Sequence, residues 1–149
     1  MTTTHTTKTE MYTLAFNINE TLKLVYAQSA LRALASSAEQ KHLHIFDDDN
    51  EALLHVIFVN GFFTLAQAMM GYVIGYELDI DRDEVFKLMV ELPQRSAQNI
   101  EALRKAIEHA IALYILAEAY DTESNRALAE SHRRKYREAV SRIIASLAR

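Results

Sequence analysis

Between Ala52 and Tyr76 the chain carries no Asp, Glu, Lys or Arg. A run of that length can cross a bilayer as a helix. Against that reading, His55, Asn60, Thr64 and Gln67 lie inside the run and are costly in lipid. Acidic residues flank both ends, and no Lys/Arg cluster sets an orientation. No second apolar span accompanies it. The run therefore reads as a central helix covered on all faces, by the other helices or by a second subunit. All three glycines fall here, at Gly61, Gly71 and Gly75. Gly71 and Gly75 form a GxxxG pair, which reads either as a close helix crossing or as a helix end near Gly75.

The remaining breakers are scarce: one proline, Pro93, in 149 residues, of which 50% are hydrophobic. That suits a single, mainly helical domain with a real core. Residues 1–9 are Thr-rich, polar and without an apolar leader stretch, and are expected to be a flexible N-terminal segment; residues 10–149 are expected to form the domain. Four helical stretches can be read. The first runs from about Glu10 or Asn19 to Ser36, its start blurred by the capping residues Asn17 and Asn19. The second runs from Asp49 or Asn50 to about Tyr76. The third runs from Ser96 to Tyr120, with Ile100, Leu103, Ile107, Ile111, Tyr114 and Ala117 on one face. The fourth runs from Thr122 to about Leu147, with an apolar stripe through His132, Tyr136, Val140 and Ile143. Residues 76–92 have two readings. Tyr76, Leu78, Ile80, then Phe86, Leu88, Val90 and Leu92 alternate as in a β-hairpin turning at Asp81 to Asp83. Val85, Leu88, Met89 and Leu92 equally fit a short helix capped by Asp81. The expected fold is all-α in the main and four-helix bundle-like, with room for a short hairpin between helices 2 and 3.

Charge is divided unevenly. Residues 1–93 hold 6 Lys/Arg against 13 Asp/Glu, and residues 94–149 hold 10 against 7, for a total of −4. That balance argues against a nucleic-acid partner. The fourth helix presents Arg133, Arg134, Lys135 and Arg137, with Glu130 and Glu138 at ion-pairing distance along the helix. Phe62 and Phe63 are adjacent and must point to different sides of their helix, so one of them can face a partner.

No constellation for catalysis is legible. Cysteine is absent, which removes disulfides and thiolate chemistry together. A di-metal bundle needs Glu-x-x-His on two helices, and only Glu39 to His42 matches; Glu51 and His55 share a face but no second pair answers them. His42, His44 and Asp47 to Asp49 cluster in the first loop, where a helix start is the simpler reading. Asp79, Asp81 and Asp83 imitate the opening of a calcium loop, but Glu84 and Val90 stand where Gly and Glu are needed. His109 reads as a buried or half-exposed structural residue. No cofactor and no metal are expected.

One resemblance bears on this. Phe86-Lys87-Leu88-Met89-Val90-Glu91-Leu92-Pro93, a polar gap, a long helix ending Ala112-Leu113-Tyr114-Ile115-Leu116-Ala117-Glu118-Ala119-Tyr120, and a last helix with Tyr136, Ile143, Ile144 and Leu147 follow in that order. This order, over roughly the last 65 residues, resembles small structural proteins of tailed phages and prophages, of the head–tail connector kind. Tyr120 stands where that family usually has a tryptophan-like aromatic. The resemblance implies a helical ring subunit with no catalytic residues, whose extended segment before the third helix contacts a neighbour, and it favours the hairpin over residues 76–92. The expected function is accordingly a non-enzymatic assembly protein, cytoplasmic or part of a virion, acting by self-association and contacts with other proteins. Its interface candidates are Phe62, Phe63, Asp79, Asp81, Asp83, Arg133, Arg134 and Arg137, with the acidic 76–92 segment meeting the basic last helix of the next copy. The alternatives are a soluble bundle whose second helix lines an apolar ligand pocket with Phe62, Met69 and Met70, and a regulator that docks a partner helix in a groove.

Overall fold

The computed structural model describes residues 8–35, 51–79, 85–93, 99–122 and 125–147. The element order is β1 (Thr9–Asn17), α1 (Ile18–Ala35), α2 (Glu51–Ala68), β2 (Val73–Asp79), β3 (Val85–Pro93), α3 (Ile100–Thr122) and α4 (Arg126–Leu147). The protein is thus mainly helical, with a three-stranded antiparallel sheet in the order β1-β3-β2. Thr9 and Glu10, expected at the edge of a loose segment, are the first residues of a strand.

β1 corrects the reading of a helix or loose chain before Asn19. Tyr12, Leu14 and Phe16 alternate with Met11, Thr13 and Ala15, and the first set turns inward: Leu14 and Phe16 are buried and Met11 is exposed. β1 pairs with β3 from Thr9↔Pro93 to Asn17↔Val85. Asn17 then caps α1, its Oδ1 accepting from the backbone N–H groups of Asn19 (2.8 Å) and Glu20 (3.2 Å).

α2 ends at Ala68, eight residues before the expected end at Tyr76. A turn over residues 69–72 follows, in which the Tyr72 N–H donates to the Met69 carbonyl at 2.8 Å and the Val73 N–H to the same carbonyl at 3.1 Å. Val73 to Tyr76 belong to a strand because β3 supplies a partner for their backbone. The GxxxG reading falls with this. Gly71 sits in the turn with open space around it, and Gly75 sits in β2 under the Met89 side chain. The close helix approach is at Gly61 instead, where an added Cβ would lie 2.8 Å from Cδ1 of Tyr114 on α3. Among the described residues, no helix is long and apolar enough to cross a membrane.

β2 and β3 pair antiparallel from Gly75↔Met89 to Asp79↔Val85, with an irregularity between Val73 and Gly75. Residues 73–79 and 85–93 therefore pair as strands, which rules out the short helix over Val85 to Leu92; the turn at Asp81 to Asp83, which would make them a hairpin, lies outside the described residues, as do Ser96 and the His42 to Asp49 cluster. α4 starts at Arg126, not Thr122, which is the last residue of α3. Its cap is Asn125, whose Oδ1 accepts from the Leu128 N–H at 3.4 Å.

α3 is the central helix and packs against α4, α2 and α1. From Ala110 to Ala117 only Tyr114 is not fully buried, as its all-apolar second half requires. One continuous core joins all four helices to β1 and β3. Its aromatic centre is Phe62, with ring centroids 5.3 Å from Phe86 and 6.1 Å from Phe16, and Phe58 5.0 Å from Phe86. Each such ring stabilises the fold by about 1.5–3 kcal/mol through burial. α2 is thereby fixed across the helix-facing side of the sheet.

Candidate functional site

Fixing one side of α2 leaves the other side in water. Leu54, Phe58, Phe62, Leu65 and Met69 point inward and are buried. Leu53, Val56, Asn60, Phe63 and Gln67 recur at three- and four-residue steps on the opposite side, and Met70 follows in the turn after the helix. Leu53 is 41%, Val56 58% and Met70 72% exposed. The stripe continues into the sheet: the rings of Phe63 and Tyr76 meet edge to face at 5.1 Å, and Tyr76 and Ile74 on β2 are each 53% exposed. The result is a surface strip built from a helix and an edge strand, with no charge on it from Ala52 to Tyr76.

The other helices meet water differently. α1 exposes Leu24 and Leu31, but beside a Lys23–Glu20 ion pair of 2.9 Å. On α3, Arg104 bridges Glu101 (2.9 Å) and Glu108 (3.1 Å). The hydrogen bond from Arg104 holds the Glu101 carboxyl below its ordinary pKa. On α4, Arg133 bonds to Glu130 (3.0 Å) on its own helix and to Asp121 (3.1 Å) and Glu118 (3.5 Å) on α3. The hydrogen bond to Asp121, followed by that to Glu130, raises the Arg133 guanidinium pKa. Arg133 therefore ties α4 to α3 inside the chain, while Arg134, Lys135 and Arg137 stay exposed.

Of the interface candidates read from sequence, Phe62 is a core residue and Phe63 is half-buried at the edge of the exposed strip. Asp79 is the last residue of β2; Asp81 and Asp83 lie outside the described residues. Phe62 and Met69 are closed in the core and Met70 faces solvent, so these three do not share a ligand cavity. Sequence reasoning missed Leu53, Val56, Ile74 and Tyr76 as surface residues. The available signal was the helix itself, too apolar for one side to be told from the other.

Two histidines also find their places. His132 is buried, its Nδ1 donating to the Leu128 carbonyl at 2.8 Å and its ring 5.3 Å from that of Tyr120. His109, expected to be a buried or half-exposed structural residue, is exposed. Among the described residues, no group of three His, Asp or Glu side chains comes together in a way that could hold a metal ion. Comparison with protein-family models, curated proteins and solved structures gives no match for this chain.

Proposed function

We propose that this protein is a non-enzymatic assembly subunit that associates with copies of itself through the uncharged strip on α2 and β2. The observation that carries this reading is the exposure of Val56, Met70, Ile74 and Tyr76 on a strip without a single charge. Large apolar side chains exposed on one strip, with only uncharged polar residues such as Asn60 and Gln67 among them, mark an interaction site more often than scattered ones do. Charged residues are depleted at the centre of protein–protein interfaces, and the run from Ala52 to Tyr76 has none. The four helices are read as a bundle around α3, with the sheet held against α2. The most specific form of the reading follows from the resemblance to head–tail connector proteins: a subunit of a virion ring.

Light scattering on size-separated protein at two salt concentrations tests it. Association through an apolar strip holds or strengthens at high salt, whereas acidic segments meeting Arg134 and Arg137 of a neighbour would come apart. Val56→Glu should leave the circular dichroism spectrum unchanged and produce monomers. A wild-type chain that is monomeric at all accessible concentrations would overturn the proposal.

A further inference from the structure

α4 packs chiefly along α3. The two helices run antiparallel, with Tyr114 beside Tyr136 at 5.5 Å and Tyr120 beside His132 at 5.3 Å. Continuing that register places Arg142 level with His109, and Leu147 level with Leu103. Along this stretch the helices border a cleft of about 620 Å³, lined by Leu103, Ala106, Ile143 and Leu147, with His109 and Arg142 at one end and the uncharged Asn99 and Ser146 toward the other. His109 and Arg142 are both exposed, and neither joins an ion pair among the described residues. Arg104 and Arg133, by contrast, are each held by carboxylates of the chain itself.

We propose that this cleft binds an amphiphile with one carboxylate, its alkyl chain lying along Leu103, Ala106 and Leu147 and its head on Arg142 and His109. The middle of the cleft is apolar and its one cation among the described residues, Arg142, stands at one end beside His109, while the far end has only the uncharged Asn99 and Ser146; that is the pattern of a ligand with a single anionic head. From His109 to Asn99 it runs roughly 15 Å at the helical rise per residue. Its volume falls within the range of about 300–1,000 Å³ usual for small-molecule sites. Arg142 supplies a fork of N–H donors suited to a carboxylate.

The test is calorimetric titration of the full chain with dodecanoate below its micelle concentration, beside methyl dodecanoate. The expected result is saturable binding of one dodecanoate per chain, with a raised melting temperature. Arg142→Ala should weaken it by about tenfold or more, as expected for one charge-assisted hydrogen bond, and the methyl ester should bind as weakly to either protein. Ala106→Phe should fill the cleft and abolish binding. If that variant does not fold, Arg142→Glu, a change at an exposed position, carries the same test. Absence of saturable binding, or equal affinity in wild type and Arg142→Glu, overturns the proposal. The oligomeric state is read separately, so this result does not decide the assembly reading.

Discussion

α2 and α4 solve the same problem in opposite ways. α4 packs mainly on one other helix and meets water over most of its circumference, and its outer side carries Arg134, Lys135, Arg137 and Glu138. α2 packs on α3 and, through Phe58 and Phe62, on the sheet, and still leaves one side open, yet the polar residues on that side, Asn60, Thr64 and Gln67, carry no charge. The inner side of α2 is explained by the Phe16–Phe62–Phe86 cluster. Its outer side is more apolar than a lone subunit needs. The difference separates hydrophobicity that folds the chain from hydrophobicity left in water, which is what the proposed assembly would use.

The sharpest test of that separation uses the adjacent pair on α2. Phe62→Ala should destabilise the fold by about 3–5 kcal/mol, as expected for a buried ring in a tight core, measured by urea denaturation. Phe63→Ala should cost far less stability and act mainly on association. Equal losses of stability would mean that both sides of α2 are core. The next largest effect compares charges on the two helices. Val56→Glu should weaken self-association by about 2 kcal/mol or more if the strip contains a binding hot spot, while Arg134→Glu on α4 should leave it unchanged in sedimentation at moderate salt. The reverse ranking would move the interface to α4.

Gly61→Ala probes the crossing of α2 with α3. Its new methyl would meet the Tyr114 ring at 2.8 Å, and the overpacking should cost about 1–3 kcal/mol in thermal unfolding. An unchanged melting temperature would show that Tyr114 moves aside freely. Tyr136, beside Tyr114, has its pKa pushed up to about 12, first by burial and then by its neighbour. A raised acid pKa favours the neutral phenol in the folded state, so the protein should keep full stability below about pH 10 and lose some between there and pH 12. Tyr136→Phe should flatten the unfolding profile in that window; an identical alkaline slope in the variant would assign the loss elsewhere. The smallest effect is expected on α4. Arg133→Ala removes three partly exposed ion pairs and should cost about 1 kcal/mol or less, against no measurable change for Arg134→Ala.

How far these features could be read from the residues depended on contrast. α3 and α4 carry clear stripes, and their faces were legible within a few residues. The Arg133–Glu130 pair follows from helical spacing, but its contact with Asp121, twelve residues earlier, needs the hairpin that folds α4 back on α3. β1 was missed because its nine residues offer only three inward positions, Tyr12, Leu14 and Phe16, next to two asparagines that suit a helix start. The end of α2 was missed because Val73 to Tyr76 are as apolar as the helix before them; only pairing with β3 makes them a strand. The exposed strip was illegible for a related reason. Periodicity locates a face by alternation with polar residues, and α2 provides little.

The central position of β3 has a consequence for how the chain is made. β3 pairs with β2, a few residues before it, and with β1, whose Thr9 lies opposite Pro93. The first pairing closes a short loop, and the second joins residues from 68 (Asn17 and Val85) to 84 (Thr9 and Pro93) positions apart, which is intrinsically slow. During synthesis β1 is made long before β3, and until then only α2, through Phe62, offers Phe16 a partner ring. The earliest of the described strands can therefore join the sheet only after the latest one has been made.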